Sequence, residues 1–94
     1  MAAAGTIRRR VVIRGRVQGV FFRGTTEEVA RRAGVAGWVR NRPDGCVEAA
    51  FEGDAAAVEK LVAFCRRGPS WADVTRVDVE EEEPTGELGF RIRR

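Results

Sequence analysis

The chain has 94 residues, 44% of them hydrophobic, and its 17 basic and 14 acidic residues give a net charge of +3. A chain of this length forms one hydrophobic core that buries about two-thirds of the surface exposed by its unfolded form, so we expect one domain. It contains no histidine, which excludes the zinc sites and catalytic dyads that depend on imidazole.

The distribution of charged residues along the chain argues against membrane-spanning and secretory segments. The longest stretches without a charged residue are residues 1–7 and 33–39. Both are much shorter than the ~20 apolar residues of a transmembrane helix, and neither has the hydrophobic segment of a secretory signal. We therefore expect a cytoplasmic protein without a membrane partner. The basic excess favours an anionic partner, whereas the acidic run 80–83 is typical of a solvated strand end.

The first strand and the first helix have clear patterns. Residues 7–14 form two alternating sets, one mainly apolar (Ile7, Arg9, Val11 and Ile13) and one mainly basic (Arg8, Arg10, Val12 and Arg14). This period-2 pattern predicts a strand with one buried face that ends at Gly15. From Phe22 onward, small or apolar residues recur at helical spacing, and Gly34 is placed to end the helix. We expect both Phe21 and Phe22 to anchor this helix to the sheet.

Two further strands are predicted to pair as a hairpin. The segments 36–41 and 46–52 flank Arg42-Pro43-Asp44-Gly45. Proline fixes the backbone angle that begins such a turn, and glycine accepts the positive φ that ends it. The two strands are therefore expected to be antiparallel neighbours.

The second half of the chain completes the fold. Asp54 is a candidate N-cap for a second helix, which closes near residues 68–69 and has one apolar stripe formed by Val58, Leu61, Val62 and Cys65. Residues 73–82 alternate again, and a short strand ends the chain. The order β-α-β-β-α-β plus a final strand predicts an α+β ferredoxin-like sandwich, with two helices on one face of a mostly antiparallel sheet. We assign residues 7–94 to this domain and residues 1–6 to a flexible tail.

The two cysteines, Cys46 and Cys65, have no metal-binding spacing. We interpret both as small buried hydrophobic residues, with a disulfide as the alternative. No metal site and no cofactor are expected.

The loop between the first strand and the first helix has two interpretations. Free N–H groups at a helix start, turned by preceding glycines, form a cradle for an anion. Arg23 opposes the helix dipole there, and a bound phosphate would explain its position. The other interpretation is an ordinary turn beside a solvated arginine. Taken by itself, the loop sequence favours this second interpretation over an anion-binding site. The loop consists of Gly15, Arg16, Val17, Gln18, Gly19 and Val20.

Several longer motifs favour the anion-binding interpretation of this loop. The stretches GRVQGVFFR (15–23), GWVRNRPDGCVE (37–48), GPSWADVTRVDV (68–79) and GFRIR (89–93) resemble the acylphosphatase family, and the resemblance covers nearly all of residues 6–94. It implies a ferredoxin-like enzyme that hydrolyses small-molecule acyl phosphates to a carboxylate and inorganic phosphate.

The resemblance also implies residue roles. The loop from Gly15 to Val20 would bind the substrate phosphate, Arg23 would be the catalytic arginine that contacts it, and Asn41 would orient the attacking water. On its own, Asn41 would be interpreted as a structural residue before the turn. We expect a monomer that needs no metal and binds no nucleic acid.

Two other functions fit the same fold class. An RNA-binding module is one alternative, but such modules carry aromatic residues in their central strands. Here Phe51 is the one aromatic residue among the corresponding positions, which also include Val11, Ile13, Val47 and Ala49. A small-ligand regulatory module is the other alternative, and fold analogy alone does not exclude it.

Overall fold

The structure is a computed structural model that describes residues 5–94. Its elements are β1 (Thr6–Arg16), α1 (Phe22–Ala33), β2 (Ala36–Asn41), β3 (Val47–Asp54), α2 (Ala55–Arg67), β4 (Asp73–Glu82) and β5 (Phe90–Arg93). The strands form one sheet in the order β4-β1-β3-β2-β5, in which the β2–β5 pair is parallel and the other pairs are antiparallel. Both helices pack on this sheet, which confirms the predicted ferredoxin-like α+β sandwich.

The N-terminal boundary differs from the prediction. Residues 1–4 of the proposed tail lie outside the described residues. Thr6 already begins β1 and is paired with Asp54, and the carbonyl oxygen of Gly5 accepts a hydrogen bond from the N–H of Ala55 at 2.9 Å. The fold therefore begins before residue 7, because pairing with β3 continues to the start of α2.

The core lies between the sheet and the helices. In β1, Val11 and Ile13 are fully buried, as the alternation predicted. Arg8, on the opposite face, is also buried, because its guanidinium donates to the carboxylates of Glu82 and Glu52 at 3.0 and 3.1 Å. The largest fully buried core side chains include Phe22, Phe51, Ile13, Leu61, Val11, Val39, Val47 and Val58.

The helix α1 begins at Phe22 and ends before Gly34, as predicted. Gly34, at φ 70°, ends it, and its N–H donates to the carbonyl oxygen of Arg31 at 3.2 Å. Phe22 is buried with its ring centroid 6.0 Å from that of Phe64 in α2. Phe21, however, is 85% exposed. The prediction that both phenylalanines anchor the helix was wrong for Phe21, because this residue precedes the helix in a left-handed conformation and lies outside its buried stripe.

The hairpin and α2 follow the predictions. In the turn, the carboxylate of Asp44 accepts a hydrogen bond from the N–H of Cys46 at 3.0 Å. The predicted N-cap Asp54 accepts from the N–H of Ala57 at 3.4 Å. Both Cys46 and Cys65 are buried free thiols, as expected, and burial raises the pKa of the Cys65 thiol. Neither described helix is long and apolar enough to cross a membrane.

Candidate active site

The loop between β1 and α1 is fixed on two sides. Gly15 lies in a bulge of β1 at φ 125°, and a side chain there would collide with the backbone carbonyl of Asp73 in β4. The side-chain amide of Gln18 donates to the carbonyl oxygens of Arg42 and Cys46 at 2.7 and 2.9 Å. These contacts hold the loop against β4 and against the β2–β3 turn.

The loop and the start of α1 present free backbone N–H groups. Within residues 5–94, no oxygen accepts a hydrogen bond from the N–H groups of residues 18–24, and the first helical bond runs from Thr25 to Phe21 at 3.0 Å. No side chain caps the helix start. Gly19 and Phe21 have positive φ values of 75° and 59°. Successive amides in such turns, together with the positive end of the helix dipole, form an anion-binding concavity.

Arg23 lies in the first turn of α1. It has no ion pair or hydrogen bond in the part of the chain that the structure describes. The arginines of the last turn differ, because Arg31 and Arg32 pair with Glu27 and Glu28 at 3.3 and 2.7 Å. The guanidinium of Arg23 is therefore available to an anion beside the free amides.

Asn41 is the last residue of β2, opposite Val47 in β3. It lies two residues after the buried Val39, so both side chains point to the helix side of the sheet. Its Oδ1 atom is buried, and no donor among the described residues reaches it. A buried amide oxygen without a partner is unfavourable, so a donor from water or a ligand would stabilise this site.

These groups meet in one cleft of about 410 Å³. Of the predicted site residues, it is lined by Val17, Gly19, Arg23 and Asn41. Four other predicted loop residues do not line it. Gly15 and Gln18 make the contacts described above, Arg16 donates to the carbonyl oxygen of Trp71 at 3.4 Å, and Val20 packs against the core.

The cleft also contains residues that sequence reasoning missed as site residues. They are Phe21, Phe22, Gly24 and Ile92. The sequence did not identify Phe21, because an apolar residue beside a helix start is ordinarily assigned to the core. No local signal could have identified Ile92, because β5 reaches the cleft only by pairing with β2, where Ile92 lies beside Val39.

The lining carries little charge. Arg23 is the one charged side chain among the residues that line the cleft. Within residues 5–94, no group of three or more acidic or cysteine side chains has an arrangement that could hold a metal ion. The arrangement can therefore bind an anion through amides and one guanidinium, and can order a water at an amide side chain.

Known proteins share this sequence and fold. The family model described as Acylphosphatase matches residues 9–92. The acylphosphatase of Rubrobacter xylanophilus is 57% identical over 98% of this chain and 84% of its own length. An acylphosphatase structure from Coxiella burnetii has a TM-score of 0.91 at 32% identity, covering 96% of this chain and 95% of its own. An acylphosphatase structure from Bacillus subtilis has a TM-score of 0.89 at 36% identity, covering 94% of this chain and 99% of its own.

Sequence identity over nearly the whole length and the shared fold lead to the same assignment. The chain belongs to the acylphosphatase family, whose members are hydrolases.

Proposed function

We propose that this acylphosphatase holds the phosphate of its substrate on the backbone N–H groups of residues 18–24 and on the guanidinium of Arg23. The observation that supports this most directly is the set of unpaired amides beside an unpaired arginine at one helix start. Phosphate oxygens match both donor types, since a guanidinium binds them through parallel N–H bonds. The phosphate loop was predicted from Gly15 to Val20. Its first two residues, Gly15 and Arg16, are the last residues of β1, so they lie directly before the loop.

The chemistry needs few groups. The reaction R–CO–OPO₃²⁻ + H₂O gives R–COO⁻ + H₂PO₄⁻. The leaving carboxylate is stable as an anion near neutral pH, so no general acid has to protonate it. The transition state of phosphoryl transfer is loose, with charge on the equatorial oxygens. Fixed donors that stabilise this charge supply most of the catalysis.

Asn41 is proposed to position the attacking water. Its buried Oδ1 atom has no donor among the described residues, and it lines the same cleft as Arg23. An oxygen of this kind accepts a hydrogen bond from water and so aims the lone pair of the water at phosphorus. Asn41 does not titrate, so it orients the water without removing a proton.

The remaining expectations concern partners and location. We propose that the protein is a cytoplasmic monomer whose partner is a small-molecule acyl phosphate. We propose that the protein does not bind nucleic acid. On the open face of the sheet, the one opposite the helices, the arginines are paired with carboxylates and so are not free to bind phosphates; they are Arg8, Arg10 and Arg40. The aromatic residue Trp38 on this face lies under the guanidinium of Arg93, 4.7 Å from its ring centroid.

One experiment separates this function from the alternatives. Purified protein is incubated with benzoyl phosphate without added metal, and release of inorganic phosphate is measured. The same preparation is titrated with a labelled RNA oligonucleotide. Turnover that is lost in the Arg23→Gln variant, without RNA binding, supports the proposal. Full turnover in a folded Arg23→Gln protein would refute the assigned site.

A further inference from the structure

Two exposed apolar side chains line the active-site cleft. Phe21 is 85% exposed and Ile92 is 41% exposed, and both line the cleft that contains Arg23 and Asn41. Phe21 directly precedes α1, and Ile92 lies in β5 near the other end of the chain. Exposed apolar side chains that share a cleft mark a surface that a ligand can cover.

The backbone of Phe21 provides a second observation. It is the one non-glycine residue with positive φ in the described part of the chain. A bulky residue in this conformation is strained, and such strain is concentrated at binding sites. Thr25 stabilises it, since its N–H and its hydroxyl both donate to the carbonyl oxygen of Phe21, at 3.0 and 2.9 Å. The turn thus holds the ring outside the core and beside the anion cradle.

The charge of the lining determines which ligand fits. Among the lining residues, Arg23 alone carries a charge, and the substrate phosphate occupies it. An acyl group with its own carboxylate or a second phosphate would find no further cation there. An apolar acyl group would instead remove the exposed surface of Phe21 and Ile92 from water.

We propose that Phe21 and Ile92 form a subsite for the acyl group of the substrate, selecting aromatic or branched apolar acyl phosphates over small or charged ones. This inference rests on the proposed function, because the phosphate bound beside Arg23 fixes where the acyl group lies. The two residues determine specificity and take no part in the bond-breaking step.

The test compares two substrates in matched variants. Phe21→Asn removes the ring, and asparagine accepts the left-handed conformation; Ile92→Thr keeps the β-branched shape. Leu88→Ser is the control, since Leu88 is 91% exposed and does not line the cleft. The ratio of kcat/KM for benzoyl phosphate to that for acetyl phosphate should fall about tenfold in each subsite variant and stay unchanged in the control. In Ile92→Thr, whose residue lies outside the phosphate-binding amides, the inhibition constant of inorganic phosphate should change less than about threefold.

A second measurement uses only the unmodified protein. Benzoylphosphonate should inhibit at about tenfold lower concentration than acetylphosphonate. Equal inhibition by the two phosphonates, or an unchanged substrate ratio in both subsite variants, would overturn the subsite while leaving the proposed function standing. If the unmodified protein hydrolyses neither acyl phosphate, the proposed function fails, and the subsite fails with it.

Discussion

Arg8 and Glu52 lie directly opposite each other in β1 and β3, and their side chains meet at 3.1 Å with exposures of 8% and 7%. The same carboxylate accepts hydrogen bonds from the N–H groups of Thr85 and Gly86, both at 2.8 Å. This segment leads into β5, which carries Ile92. The buried pair therefore connects the open face of the sheet to one wall of the active-site cleft.

Replacing Glu52 by glutamine should destabilise the protein. The glutamine amide has nearly the shape of the carboxylate but has no charge opposite Arg8. Its NH₂ group also cannot accept hydrogen bonds from the N–H groups that donate to Glu52. We expect a loss of about 2–3 kcal/mol and a fall in Tm of about 10–20 °C. The control is Glu81→Gln, because Glu81 is 83% exposed and pairs with Arg9 at 3.6 Å, so its loss should cost less than about 1 kcal/mol. Equal melting temperatures for the two variants would contradict the prediction.

Acid should remove part of this stability. Burial raises the pKa of Glu52, but hydrogen bonds from the N–H of Thr85 and from Arg8 outweigh it and hold the pKa below its ordinary 4.5. The pKa of Glu48 is lowered in the same way, against burial, by the arginines of β1 and β2. Because the folded pKa is the lower one, the contribution is complete above the unfolded pKa and is lost as pH falls through the folded pKa.

Urea denaturation at several pH values measures this effect. The midpoint should be nearly constant from pH 7 to about pH 5 and should fall below about pH 4.5. The fall should be smaller in Glu52→Gln than in the unmodified protein. A variant with the same acid sensitivity as the unmodified protein would exclude Glu52 as a source of it.

Part of the fold was accessible from the sequence because the signals are local. The alternation of residues 7–14 predicted the buried face of β1, and Gly34 predicted the end of α1. Burial of Arg8 was not predictable, since its partners Glu52 and Glu82 are 44 and 74 residues away. The same reason applies to β5, whose parallel pairing with β2 leaves no local pattern.

The active site likewise contains residues that the sequence identified and residues that it did not. The motifs identified Arg23 and Asn41 by resemblance, and the structure brings both to one cleft. Gln18 joins the loop to the segment after Asn41 by donating to the carbonyl oxygens of Arg42 and Cys46. The exposure of Phe21 was not predicted, because an apolar residue next to a helix start is ordinarily assigned to the core.

Arg23→Gln should fold normally and lose activity. Its side chain has no partner within the described residues to lose, so Tm should change by less than about 3 °C. Loss of the charge-assisted phosphate contact should cost about 2–4 kcal/mol, or about 30- to 1,000-fold in kcat/KM. The matched control is Arg32→Gln on the same helix, at a side chain that is 79% exposed and paired with Glu28. Comparable kinetics in the two variants would disprove the role of Arg23.

Asn41→Ala should separate turnover from binding. The alanine variant lacks the Oδ1 atom that we propose orients water, so kcat should fall about 100-fold while KM changes little. The inhibition constant of inorganic phosphate is the internal control and should remain within about threefold of that of the unmodified protein. If phosphate binding weakens in parallel with turnover, Asn41 contacts the phosphate and not the water.

The last prediction concerns the pH dependence of kcat. The chain has no histidine, and the one charged side chain that lines the cleft is that of Arg23, a hydrogen-bond donor that is not a general base. If Arg23 and Asn41 carry the reaction, kcat should be flat from about pH 6 to pH 8, with a fall only at acid pH as the substrate phosphate protonates. Glu27 and Glu28 are the carboxylates nearest in sequence, and both pair with arginines of α1. A kcat profile at constant ionic strength decides the matter: an inflection near pH 7 that disappears in Glu27→Gln or Glu28→Gln would show that a general base operates.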